Sequence, residues 1–180
     1  MIALRSPFPY FGSKSAAAPL IWAALGNPAN MVDPCAGSCA IHWRRPLPGK
    51  IVTLNDAFGA ISNFLRAVQH DPTAVAEDAS WPVDECMMHA RHRWLVDKMD
   101  DVFVERLMTE PDFYDAEVAG WWCWGQSIWI GAGWCSPTFE SEGRKRPAIG
   151  GNGWKGRTGS ARTSVGLFRS RLPHLIGPNN

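Results

Sequence analysis

The sequence lacks several features that mark specialised classes of protein. No uninterrupted apolar run reaches the roughly twenty residues of a transmembrane helix, so we expect no membrane-spanning segment. No charged region leads into an apolar one at the amino end, so no secretory signal peptide is predicted. The five cysteines are odd in number and irregularly spaced, which argues against a disulfide framework and predicts a reducing, cytoplasmic location.

Acidic residues are missing from the carboxyl-terminal part. Residues 143–180 hold eight Lys or Arg and no acid, whereas residues 71–117 hold thirteen of the seventeen acids, and the net charge of +1 hides this separation. A basic, Gly-rich segment can follow phosphates with little steric conflict, so it predicts contact with nucleic acid. The alternative is an ordinary solvated tail. The residues that we assign to DNA binding are Arg144, Lys145, Arg146, Lys155, Arg157 and Arg162.

The remaining composition is that of a globular protein with unusually many tryptophans. With 46% hydrophobic and 19% charged residues in 180, the chain can bury a substantial core. Five of the ten tryptophans fall within fourteen residues, and we interpret most of them as the core of that segment. Stacking on unpaired bases is the alternative. The five are Trp121, Trp122, Trp124, Trp129 and Trp134.

A strand followed by a tight turn stands at Met31–Ile41. An apolar lead-in ends at Asp33-Pro34 and passes through Ala-Gly-Ser, small residues that let the backbone approach a ligand closely. A second apolar segment, Lys50–Leu54, reads as a buried strand and ends at Asn55-Asp56. Ligands bind at the carboxyl ends of strands in open α/β sheets, and an acid there suits the hydroxyls of a ribose.

Helical patterns surround these strands and predict an α/β fold. Ser15 is predicted to cap a helix that runs to about Leu25, a short helix precedes Pro46, and residues 57–68 have helical periodicity. The resulting strand-helix-strand-helix unit begins a parallel sheet. We predict three parts: an α/β part at 1–71, a helical, Trp-rich insertion at 72–136, and a Gly/Arg-rich loop or tail at 137–180.

Other reactive residues admit plainer interpretations. Phe8, Tyr10 and Phe11 either line a ligand site beside Lys14 or merely seal the edge of the domain. Cys35 and Cys39 are interpreted as small apolar fillers, because nothing supplies the base that a cysteine nucleophile needs. The triplet Cys86, His89 and His92 predicts no metal site, because a three-residue spacing drifts around a helix.

With these residues in place, the chain resembles the Dam-type DNA adenine-N6 methyltransferases, in particular those of bacteriophages and prophages. Residues 8–14 are similar to the amino-terminal motif of that family, and residues 32–39 are similar to its acid-Pro-Phe-Ala-Gly-Ser-Gly motif. Residues 54–56 with the following helix resemble the next motif. Three stretches of the predicted insertion also look like the phage subfamily, so the resemblance covers nearly the whole chain; they are 78–86, 89–95 and 120–135.

The resemblance implies a Rossmann-like class I methyltransferase sheet with a helical target-recognition insertion. It implies S-adenosylmethionine as cofactor, double-stranded DNA as partner, and a restriction-modification setting in a bacterial or phage-infected cell. The residues that it assigns to the cofactor are Tyr10, Gly12, Lys14, Asp33, Pro34, Ala36, Gly37, Ser38 and Asp56.

The chain also departs from the family pattern. Cys35 stands in place of the usual Phe and Cys39 in place of the usual last Gly. The catalytic Asp-Pro-Pro-Tyr motif is not found, since neither Asp33-Pro34 nor Asp71-Pro72 continues as Pro-aromatic, and no catalytic residue is assigned. We therefore expect a truncated or split enzyme whose catalysis needs a second polypeptide or a missing carboxyl-terminal segment.

Two other interpretations are open. One is a non-catalytic DNA-binding remnant of a methyltransferase, and the other is an inactive fragment. A nicotinamide-binding Rossmann enzyme is disfavoured, because Gly37 is the only glycine in the key turn.

Overall fold

A computed structural model describes residues 4–10, 12–47, 51–130 and 134–135, together with the backbone of 168–170. Helices and strands follow one another as a short α/β unit, a run of helices and a last strand. Their bounds are α1 (Ala18–Leu25), β1 (Asn30–Asp33), α2 (Ala40–Trp43), β2 (Ile51–Leu54), α3 (Gly59–His70), α4 (Pro72–Ala79), α5 (Glu85–Lys98), α6 (Asp101–Thr109), α7 (Ala116–Ile128) and β3 (Phe168–Ser170).

The sheet has the order β1-β2-β3. Strands β1 and β2 are parallel, with Asn30 opposite Ile51 and Asp33 opposite Leu54, which confirms the predicted parallel pair. Strand β3 pairs antiparallel with β2 and lies within the segment 137–180 that the sequence predicts as a loop or tail. The Rossmann-like sheet stays a prediction, because these strands do not by themselves show it.

Helix α1 packs on one side of β1. Its Ala18 and Trp22 are buried with Met31, and the Trp22 indole donates a hydrogen bond of 2.9 Å to the carbonyl of Ile41. Ser15 was expected to cap this helix, but its hydroxyl pairs with that of Ser13, and the N-cap position is held by Ala17, which makes no side-chain capping bond. The first turn contains a proline instead, whose fixed φ suits a helix start.

Aspartates begin each of the four helices that follow α3. In every case the side chain accepts a hydrogen bond from the backbone N–H three residues further on, which satisfies a donor that the helix itself leaves free. Part of the acidity of this segment therefore serves to start helices. The four caps are Asp71, Asp84, Asp100 and Asp115.

Helix α7 joins the helical segment, which consists of α4 to α7, to the α/β unit formed by α1, α2, α3, β1 and β2. It packs on both α3 and α4, and its residue Trp122 lies in one hydrophobic core with Phe8, Phe58 and Phe64. Asn63 and the backbone of Asp115 exchange two hydrogen bonds, of 2.9 and 2.8 Å. The predicted insertion thus shares a core with the first 71 residues.

Most of the clustered tryptophans are core residues, as predicted. Trp122, Trp124 and Trp134 are buried, and the other two are partly exposed. The buried guanidinium of Arg91 lies within 5.3 Å of three indole centroids, those of Trp81, Trp121 and Trp124. Among the described residues, no helix combines the length and apolar character needed to cross a membrane.

Candidate functional site

A cavity of about 240 Å³ lies where β1 and β2 end. Eight of the nine residues assigned to the cofactor line it, from three separate stretches of sequence. The ninth, Pro34, lies outside the lining, and its carbonyl accepts a hydrogen bond of 3.0 Å from the Asn55 amide. The full lining is Tyr10, Gly12, Ser13, Lys14, Asp33, Cys35, Ala36, Gly37, Ser38, Ala40, Ile41 and Asp56.

Backbone bonds hold the turn after β1 against the end of β2. The Asn55 N–H donates to the carbonyl of Asp33 at 2.9 Å, and the Ala36 N–H donates to the carbonyl of Asn55 at 2.8 Å. The parallel ladder therefore continues past the strand ends into the turn. This places the Ala-Gly-Ser stretch beside Asp56.

Gly37 has a backbone that only glycine adopts easily. Its φ is +51°, and a Cβ built on it would lie 2.8 Å from Cδ1 of Tyr10. Its N–H donates to Oδ2 of Asp56 at 2.8 Å. Tyr10 and Asp56 therefore enclose this glycine from two sides, and the cavity wall is built from all three predicted motifs.

Asp56 supports the site as well as lining it. While Oδ2 accepts from Gly37, Oδ1 accepts from the N–H of Phe58 at 3.0 Å. The sequence predicted a ribose acceptor at this position and gave no sign of these two backbone bonds. Because an ionised carboxylate has about four acceptor sites, two remain for a ligand hydroxyl.

Charged and polar groups meet at the β1 end of the cavity. The Lys14 ammonium donates to the carbonyl of Cys35 and lies 4.0 Å from Oδ1 of Asp33. Asp33 and Ser38 are each 3% exposed, and within the described part of the chain Oδ2 of Asp33 and Oγ of Ser38 have no hydrogen-bond partner. Leaving such a group unpaired costs about 1–3 kcal/mol, so both groups favour a polar ligand.

Burial raises the pKa of two further groups around the cavity. The pKa of Tyr10 lies above its ordinary value, first because the phenol is desolvated and second because Asp56 is near. Burial, reinforced by Asp33 and Asp56, raises the pKa of the Cys39 thiol to about 12. Cys39 is thus a protonated, buried residue, which confirms the prediction of an apolar filler and excludes a thiolate nucleophile there at neutral pH.

Cys35 does not follow that prediction. It is exposed and lines the cavity, so the filler interpretation is wrong for this residue. Sequence reasoning also missed Ser13, Ala40 and Ile41 in the lining. Ser13 stands between two predicted residues and could have been included, whereas the other two point inward only because α2 starts immediately after the turn.

Known proteins offer no further guidance. Comparisons with protein-family models, curated proteins and solved structures found no match. Within the part of the chain that is described, no group of three or more His, Cys, Asp or Glu could hold a metal ion. The six residues predicted to bind DNA, and Phe11, lie outside the described residues.

Proposed function

We propose that the chain binds S-adenosylmethionine in this cavity, as the cofactor-binding part of a DNA adenine methyltransferase. The observation that supports the proposal is the convergence of three motifs, more than forty residues apart at their extremes, on one small space. Parallel pairing of β1 and β2 by itself brings Gly37 near Asp56, and the resemblance also accounts for the addition of Tyr10 from the amino-terminal loop.

The polar groups suit the two ends of this cofactor differently. Asp33 and Ser38 can accept from the ammonium of the methionine moiety, and Lys14 can pair with its carboxylate. Asp56 is then free to accept from ribose beside the ring of Tyr10. The cavity volume of about 240 Å³ lies just below the range of about 300–1,000 Å³ typical of ligand sites.

Transfer of the methyl group needs residues that this sequence does not supply. The adenine amino group is a weak nucleophile because its lone pair is delocalised into the ring. It needs acceptors for its protons and an aromatic surface for the extruded base. The Asp-Pro-Pro-aromatic motif that gives both is not found in the 180 residues. We therefore propose cofactor binding by this chain alone, and methylation only together with a polypeptide segment that carries the motif.

The charge distribution favours the basic segment as the DNA contact. Residues 72–117 of the predicted recognition insertion carry twelve acids against four Lys or Arg, so this part repels phosphates. Residues 143–180 carry eight Lys or Arg and no acid, so this segment attracts phosphates. Any approach of DNA to the cavity would therefore be guided by the basic segment.

Calorimetry with S-adenosylmethionine tests the proposal directly. We expect saturable binding by the wild-type chain, and a dissociation constant raised about thirtyfold or more in Asp33→Asn, because the isosteric amide carries no negative charge to form an ion pair with an ammonium in this buried position. Glu105→Gln, an exposed change on α6, is the matched control and leaves the affinity unchanged. A folded wild-type chain that takes up no cofactor contradicts the proposal.

The acid-free segment supports a second candidate, a DNA-binding remnant without cofactor dependence. Its affinity for duplex DNA would fall steeply with salt, because bound Lys and Arg displace counterions. Replacing Arg144, Lys145 and Arg146 by alanine lowers the slope of log affinity against log salt by roughly three if all three contact phosphates. DNA affinity that is strong in wild type, together with no cofactor binding, would favour this candidate.

A further inference from the structure

The amino-terminal loop connects the cavity to helix α7 through one aromatic side chain. Phe8 is 3% exposed, and its ring meets that of Trp122 edge to face at a centroid distance of 4.9 Å. The same ring contacts Phe64 of α3 at 5.3 Å, so two helices hold it. Trp122 is itself fully buried, which leaves little room for either ring to move.

Phe8 also contacts the residue that forms the cavity wall. Its ring lies edge to face with Tyr10 at 6.3 Å, and Tyr10 in turn packs on the backbone of Gly37. The Cys123 thiol of α7 lies 4.0 Å from the carbonyl of Pro7, in reach of a weak hydrogen bond. The loop is thus fastened to α7 on one side and supplies the cavity wall on the other.

We propose that Phe8 is a positioning residue for the cofactor site: clamped by Trp122 of α7, it fixes the Tyr10 ring over Gly37 and thereby sets the affinity for S-adenosylmethionine. The inference deepens the proposed function and rests on it for the identity of the ligand. It makes a residue of the helical segment, with no contact to the cavity, part of the machinery that holds the cofactor.

The coupling between α7 and the cavity follows from the close packing of Phe8 against both, and not only from their short separation. Phe8 contacts side chains of α3 and α7 on one side and the Tyr10 ring on the other, so loss of its ring removes the support that holds Tyr10 over Gly37. A displacement of α7 is transmitted along the same contacts. Events at the helical segment would then change the affinity for the cofactor.

A ligand-free measurement tests the positioning itself. The chain has two tyrosines, so 3-fluorotyrosine labelling gives two fluorine resonances, and Tyr114→Phe assigns them. We expect Phe8→Leu to shift or broaden the Tyr10 resonance. Phe103→Leu, which removes a ring from the same core at a distance from the cavity, leaves that resonance in place. A Tyr10 resonance that does not move in Phe8→Leu, or moves equally in Phe103→Leu, overturns the proposal.

Cofactor affinity supplies the second readout. Phe8→Leu is expected to weaken S-adenosylmethionine binding about fivefold, while Phe103→Leu changes it less than about twofold at a similar loss of stability. Equal weakening by both variants would mean general destabilisation and refute the role of Phe8. If Phe8→Leu fails to fold, Trp122→Phe keeps a ring but loosens the clamp and takes its place in both measurements.

These outcomes separate the two proposals. A wild-type chain that binds no cofactor refutes the proposed function. The fluorine spectra still decide whether Phe8 and Trp122 position Tyr10.

Discussion

Gly37→Ala is expected to remove S-adenosylmethionine binding, with a dissociation constant raised at least about a hundredfold. A methyl group at this position would lie 2.8 Å from Cδ1 of Tyr10, a separation that real contacts do not tolerate. Either the Tyr10 ring leaves the cavity wall or the turn moves away from Asp56. Unlike Phe8→Leu, which only loosens Tyr10, this change disrupts the turn itself, and losing about 3 kcal/mol of ligand contacts corresponds to about a hundredfold in affinity. Calorimetry on the folded variant measures the loss.

Gly26→Ala is the matched control. Gly26 also has a positive φ, of +67°, but no atom lies within 4 Å of an added Cβ. Alanine at a positive φ strains the backbone at both positions, but Gly26 lies outside the cavity lining. A loss of affinity confined to Gly37→Ala therefore reports on the cavity rather than on backbone strain in general. Cofactor binding that survives in Gly37→Ala at the level of Gly26→Ala would show that the ligand does not use this turn.

Gly120→Ala is expected to lower the free energy of unfolding by about 3 kcal/mol. An added Cβ would lie 2.3 Å from Cβ of Asp78 and 3.0 Å from the carbonyl oxygen of Val75. Both obstacles belong to or adjoin the backbone of α4, so no flexible side-chain end can give way and the two helices must separate. Urea denaturation followed by circular dichroism measures the change.

Gly59→Ala gives the comparison for that experiment. Gly59 begins α3, and the nearest atom to an added Cβ, at 3.5 Å, is at ordinary contact distance. Alanine has the higher helix propensity, so we expect this variant to be neutral or more stable by up to about 1 kcal/mol. If Gly120→Ala proves as harmless as Gly59→Ala, α4 and α7 do not pack as closely as described.

The local chemistry of the site could be predicted from the sequence because it depends on short stretches. An acid-proline pair followed by small residues specifies a turn after a strand, and β1 and β2 then bring Asp33 and Asp56 to the same edge. The parallel pairing followed from the same pattern of strand, helix and strand. These features need only the neighbours of each residue in the chain.

The remaining features depend on contacts between distant segments. No sequence pattern near Asp56 indicates that its carboxylate accepts a hydrogen bond from the N–H of Gly37, nineteen residues earlier. Likewise, the tryptophan-rich composition of α7 predicts a buried segment but not that Phe8 is its neighbour. Ser15 failed as a cap because the structure starts the helix later, at a proline-containing turn. Tertiary packing selects among local options that the sequence leaves nearly equal.

The shared core around Trp122 limits how this architecture can change during evolution. A recognition segment that rests on its own core can be exchanged between relatives as a module, with only its two junctions to match. Here Phe8, Phe58 and Phe64 come from the first 71 residues and Trp122 from α7, and all four belong to one core. A different helical segment would have to bring compatible aromatic partners with it. Under the proposed function, a change of DNA specificity would therefore arise by point substitution rather than by recombination.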